Sequence, residues 1–191
     1  MNKTKIYKIL RIIFIPPILV SALFLILFFG KSNIVNNIKD LLISIFLLGI
    51  LPILAYPIIS LKKNVTNKRE EQRKLAFVLN IVGYLGALLY GISVNANSDL
   101  LIIYSTYALS VLILTLINGM IKFRASGHAT SMAGPLFLLI YFKFYYVAIL
   151  FFISYILVFI SSIALKRHTI KEFIYGSFVP LIALLISIIV I

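Results

Sequence analysis

The stretch LLIIYSTYALSVLILTLINGMI, residues 100–121, carries no charged side chain. A helix of about 20 apolar residues crosses the ~30 Å hydrocarbon core of a bilayer. This run therefore predicts a transmembrane helix. Working outward, six more runs are predominantly apolar: residues 10–29, 41–61, 75–94, 127–141, 145–165 and 170–191, with Arg11, Lys171 and Glu172 their only charged side chains, each near the start of its run. The chain reads as all-α, a single transmembrane domain over residues 1–191 with about seven spans. The count is six if residues 127–165 form one bent helix. Lys143, inside Tyr141-Phe142-Lys143-Phe144-Tyr145-Tyr146, argues for two, because aromatic residues flanking a lysine suit a membrane interface.

Composition agrees. The chain is 62% apolar and 12% charged, against about 45–50% and about 25% in soluble domains. That excludes an ordinary soluble globule, and it excludes disorder, which needs low hydrophobicity. Cysteine is absent, so disulfides, thiolate metal sites and cysteine nucleophiles are excluded. Lys3, Lys5 and Lys8 before the first run, and Arg11 at its start, stand in the manner of a signal peptide. The run is long for a cleaved segment and lacks a good cleavage site, so a retained span is expected.

Lysine and arginine total 18 against 5 acids, a net charge of +13. With so little polar surface, this charge falls in short loops. Seven crossings put the N-terminus and the loops after the second, fourth and sixth runs on one side. That side carries 15 basic residues and the other carries three, Lys31, Lys39 and Lys143. The positive-inside rule places the basic side in the cytoplasm of a multi-pass cell-membrane protein. No soluble basic face exists to hold nucleic acid, so the expected partner is an anionic membrane lipid.

Three segments of the basic side hold both histidines of the chain, three of its five acids and more than half of its cations. They are residues 62–74, residues 124–128 (Arg124-Ala125-Ser126-Gly127-His128) and residues 166–172 (Lys166-Arg167-His168-Thr169-Ile170-Lys171-Glu172). Each histidine stands beside an arginine where an apolar run begins. A helix start offers unpaired N–H groups and a positive dipole end, and arginine adds a forked donor; the preferred guest is a phosphate. A metal site is disfavoured by the surrounding cations and by the scarcity of acids. Glu172 follows His168 by four residues, so both share a helix face and the carboxylate can hold the imidazole. The same residues, Thr169 with Glu172, also fit a helix capping box.

These segments resemble the type 2 phosphatidic acid phosphatase superfamily of integral membrane lipid phosphatases. Its three motifs are Lys-x6-Arg-Pro, Pro-Ser-Gly-His and Ser-Arg-x5-His-x3-Asp. Here the second reads Ala125-Ser126-Gly127-His128. The third reads Ser161-Ser162-x5-His168-x3-Glu172, followed by Gly176. The stretch Lys68-Arg69-Glu70-Glu71-Gln72-Arg73 stands for the first. The likeness spans residues 62–176. It implies a metal-independent hydrolase of a lipid phosphate or diphosphate, of polyprenyl or glycerolipid type, that needs no cofactor. His168 would be the nucleophile, Glu172 its holder and His128 the acid for the leaving oxygen. Lys68, Arg69, Arg73, Arg124, Ser126, Gly127 and Arg167 would bind the phosphoryl group. The chain departs from the pattern at Ser162, where the family carries a phosphate-holding arginine; a serine cannot supply that charge. The alternative this leaves open is a protein of the same fold that binds or moves a lipid phosphate without hydrolysing it.

Overall fold

The computed structural model describes residues 3–30, 33–62, 66–119 and 124–191. Lys31, Lys63 and Lys122, counted above among the loop cations, and Ile121, the expected end of the fourth run, lie outside them. Among the described residues there is no strand, and the helices are α1 (Lys3–Ile13), α2 (Pro16–Phe29), α3 (Ile38–Leu61), α4 (Lys68–Ser93), α5 (Ser98–Gly119), α6 (Gly127–Tyr141), α7 (Tyr145–Ala164) and α8 (Ile170–Val190). Five of these, α3, α4, α5, α7 and α8, are long and apolar enough to cross a membrane. α2 and α6 have 14 and 15 residues, which extend about 21–22 Å at ~1.5 Å per residue. Length and composition thus support five crossings where the apolar runs suggest seven.

Local chemistry explains each departure. The first run does not form one helix, because Pro16 and Pro17 interrupt it. Ile15 is extended (φ −72°, ψ 146°), as the residue before a proline prefers, and Pro16 opens α2 at a position where its missing N–H costs nothing. Leu10 to Ile13 belong instead to α1, which packs against α7. The fifth and sixth runs, by contrast, are separate helices as the lysine between them suggests. α6 ends at Tyr141, Lys143 turns the chain with φ 65°, and α7 starts at Tyr145. The third run starts earlier than expected. Asn67 caps α4 by accepting the Glu70 N–H at 3.3 Å, so the charged residues 68–74 form two helical turns rather than a loop.

α3 is irregular. Residues Ile45–Ile50 are π-helical and the chain turns again at Leu54. Pro52 has no N–H to return to the preceding turn, and the ladder widens there. The widened backbone lies against α4: a Cβ on Gly83 would run into the Leu47 carbonyl. Only a glycine lets the two backbones approach this closely, the usual device where lipid removes the hydrophobic drive for helix association.

α5 is the central helix. In its apolar window 61% of residues are buried, against 22–39% in the other four long helices. α4 and α8 pack along it, and α6 packs mainly on α8. The two helices that start with a histidine segment therefore lie side by side.

Candidate active site

The start of α6 is locked to the start of α8 through backbone. The Ser126 N–H donates to the Glu172 carbonyl at 2.9 Å. The Thr130 hydroxyl donates to the Gly176 carbonyl at 2.7 Å. A Cβ on Gly176 would collide with the Ser126 backbone, which is the physical reason for glycine at 176. A third tie comes from α5. Asn118 accepts the Ala125 N–H at 2.7 Å and donates to the Ala125 carbonyl at 3.3 Å. His128 and His168, 40 positions apart in the chain, reach one cavity as a result.

That cavity has a volume of about 990 Å³. Arg69, Arg73 and Lys74 line it from α4, Arg124, Gly127 and His128 from the start of α6, and Lys166, Arg167 and His168 from the turn before α8. Lys74 is paired with Glu70 at 3.0 Å and Glu71 at 3.2 Å, so part of its charge is answered. The cavity remains cationic, and it suits a phosphate far better than a metal ion. No group of three His, Asp or Glu that could hold a metal occurs among the described residues.

His168 is held from behind. Its Nδ1 lies 3.1 Å from Glu172 Oε2, and the same oxygen accepts the Thr169 N–H at 3.1 Å. The Thr169 hydroxyl accepts the Glu172 N–H at 3.2 Å. The orienting role and the capping box, which compete as readings of the spacing, coexist on one carboxylate. A carboxylate on Nδ1 keeps the proton there and leaves Nε2 as the basic nitrogen. His168 and Glu172 side chains are only 12% and 18% exposed, so this pair is largely sheltered from solvent.

Seven of the ten residues anticipated from sequence line the cavity: His128, His168, Arg69, Arg73, Arg124, Gly127 and Arg167. Glu172 stands behind His168. Ser126 is fully buried, and its hydroxyl caps α6 by accepting the Ala129 N–H at 3.2 Å. Lys68 does not line the cavity; it reaches the Ser60 carbonyl at 3.4 Å on an exposed surface. Lys166, Asn118 and Tyr56 line the cavity without having been anticipated. Lys166 lies within the third motif, two residues before His168, and its charge is the signal for it. Asn118 and Tyr56 have no local signal, since each is a polar residue near the end of an apolar run.

Ser162 is fully buried in α7, lines neither cavity, and its hydroxyl has no partner among the described residues. Its carbonyl accepts the Arg167 N–H at 3.0 Å. Lys166, at φ 50°, turns the chain so that Arg167 comes back over the end of α7 and into the cavity lining.

A second cavity, about 710 Å³, continues from the first into the bundle. Arg69, Phe77, Asn80, Leu114, His128 and Arg167 line both. Its further walls are mostly apolar, from Pro16 and Pro17 of α2, Pro52 and Ile53 of α3, and Val111 and Pro180 deeper in. Comparison with family models, with curated proteins and with solved structures found no match for this chain.

Proposed function

We propose that this protein is a multi-pass membrane phosphatase that hydrolyses a lipid phosphate or diphosphate through a phosphohistidine. The observation that carries the reading is His168, held on Nδ1 by Glu172 and set in a cation-lined cavity shared with His128. In this mechanism the Nε2 lone pair of His168 attacks phosphorus while the bond to the leaving oxygen breaks. His128 gives that oxygen its proton, and the lipid alcohol or lipid monophosphate departs. Water then attacks the phosphohistidine, giving its proton to His128, and the nitrogen–phosphorus bond breaks to release phosphate. Arg73, Arg124 and Arg167, with the N–H groups at the start of α6, stabilise the charge on the transferring group. Arg167 stands in for the arginine that Ser162 lacks. The apolar cavity supplies room for a lipid chain, which suits a substrate whose tail lies in the bilayer and whose headgroup meets the basic end.

On this reading α2 and α6 complete seven crossings, and the basic end faces the cytoplasm. The test is phosphate release by the purified protein in detergent, from a panel of lipid phosphates and diphosphates with excess EDTA. Release that persists in EDTA and is lost in His168→Ala supports the reading. The second reading, a lipid-phosphate binder or transporter without hydrolysis, is favoured by buried Ser162. Saturable lipid binding with no release from any lipid would select it.

A further inference from the structure

The first helix carries a surface that neither cavity uses. α1 reads KTKIYKILRII, with Lys3, Lys5, Lys8 and Arg11 as cations and no acid. Ile6, Ile9, Leu10 and Ile13 recur at the spacing that puts them on one helix face, and the cations fall at the other positions. Its 11 residues extend about 16 Å, roughly half of the ~30 Å hydrocarbon core, so α1 cannot cross a bilayer. Nor does it continue α2. Extended Ile15 breaks the axis, and while α2 packs against α3 and α6, α1 packs against α7. Ile15 and Pro16 at this joint line the inner cavity together with Leu165 and Arg167, just beyond the end of α7. α1 therefore leaves the bundle at its basic end.

Burial divides the apolar face. Ile6 and Leu10 are partly buried in the bundle. Ile9 and Ile13 are 39% and 51% exposed, and Thr4 and Lys5 are exposed with them. A helix too short to span, rich in cations and with bare isoleucines beside a spanning helix, satisfies both characters in one place. That place is the plane of the membrane surface, where isoleucines enter the acyl boundary and cations stay among the headgroups. Charge selects the headgroups. Four cations without an acid complement an anionic surface, whose attraction adds to the burial of the isoleucines. We propose that α1 is an in-plane helix that docks on an anionic lipid surface at the basic end of the bundle, with Ile9 and Ile13 seated in the acyl boundary. This goes beyond the phosphatase reading and does not depend on it.

The chain has no tryptophan, so Ile9→Trp in the full chain provides a single indole probe. Thr4→Trp, exposed and outside the apolar stripe, is its control. Each is reconstituted into vesicles of phosphatidylcholine alone, or of equal parts phosphatidylcholine and phosphatidylglycerol. Part of the lipid is brominated either near the glycerol or near the chain ends. In the mixed vesicles, bromine near the glycerol should quench Ile9→Trp roughly twice as strongly as bromine at the chain ends, as for a face about 5–10 Å into the boundary. Thr4→Trp should be little quenched. The shallow quenching of Ile9→Trp should fall by about half or more in phosphatidylcholine alone, where the anionic attraction is missing. It should fall likewise in mixed vesicles when Lys3→Gln, Lys5→Gln and Lys8→Gln are added together, glutamine being as good a helix former as lysine. Equal quenching in the two vesicle types would overturn the inference, since α7 alone would then hold α1. Unchanged quenching in the glutamine variant would overturn it too, by moving the anionic contact to other loops. So would stronger quenching from the chain ends, which sets α1 at membrane depth, or none from either bromine, which sets it in water. Quenching is read without substrate, so its outcome and that of the phosphate-release assay are separate.

Discussion

At the scale of single residues, the proposed chemistry rests on His168 and Glu172. Glu172 Oε2 serves both His168 Nδ1 and the Thr169 N–H, each at 3.1 Å, so one substitution there confounds two roles. Thr169→Ala separates them. It removes the cap, costs about 1 kcal/mol, and should lower the thermal midpoint while turnover per folded protein stays near normal. Glu172→Ala should lower turnover as well, by loss of imidazole orientation, about 10- to 100-fold, with Glu172→Gln milder. Equal turnover loss in Thr169→Ala and Glu172→Ala would reduce Glu172 to a cap. His168→Ala should lower turnover by about a thousandfold or more with the thermal midpoint little changed, as read by phosphate release and a melting curve. Arg73 is exposed and lines the cavity. Arg73→Ala should raise KM and lower kcat together, and an unchanged rate would move the phosphate clamp to Arg124 and Arg167.

At the scale of elements, the contact of α6 with α8 decides whether the site exists. Gly176 meets the Ser126 backbone without room for a Cβ, and the Ser126 N–H bond to the Glu172 carbonyl at 2.9 Å spans the same contact. Gly176→Ala must push the two helix starts apart, costing about 1–3 kcal/mol. The expected result is a lower thermal midpoint and a loss of turnover larger than the stability loss explains, because His128 and His168 separate. Gly83→Ala presses α4 against the π-helical part of α3, away from this contact. It should destabilise to a comparable degree while turnover per folded molecule falls less. Similar activity losses from both substitutions would argue that the site depends on the bundle generally rather than on the α6–α8 contact.

Across the whole molecule, charge and greasiness are segregated. The basic cavity meets an apolar one, with His128, Arg69 and Arg167 on both walls. Attraction between exposed cations and a phosphate is screened by salt, with a Debye length of about 10 Å at 0.1 M. KM for a lipid phosphate should therefore rise severalfold between about 0.05 M and 0.5 M salt, with kcat changing less. Salt-independent KM would mean that the exposed arginines do not meet the substrate. EDTA should leave the rate unchanged, in keeping with a cavity whose lining is cationic and poor in acids.

Hydropathy and helical periodicity act over neighbouring residues, and what depends on them is legible in the chain itself. The apolar runs, the break at Lys143, the gathering of cations into three segments and the shared face of His168 with Glu172 are all of this kind. Prolines set the limits: residues 10–29 read as one run by hydropathy, yet Pro16 and Pro17 split α1 from α2. What only tertiary structure decided involves residues far apart in the chain. Asn118 grips Ala125, Gly176 admits Ser126, and the mouth opens where α4, α6 and α8 begin. The same packing buried Ser126 as a cap, left Lys68 outside, and hid Ser162 while bringing Arg167 into the lining. Hydrophobicity specifies that a segment is helical and buried in lipid or protein, but it is nearly symmetric around such a helix. Which face of each helix turns toward the site is set by backbone approach and hydrogen bonds between helices, and these exist only once the bundle has formed.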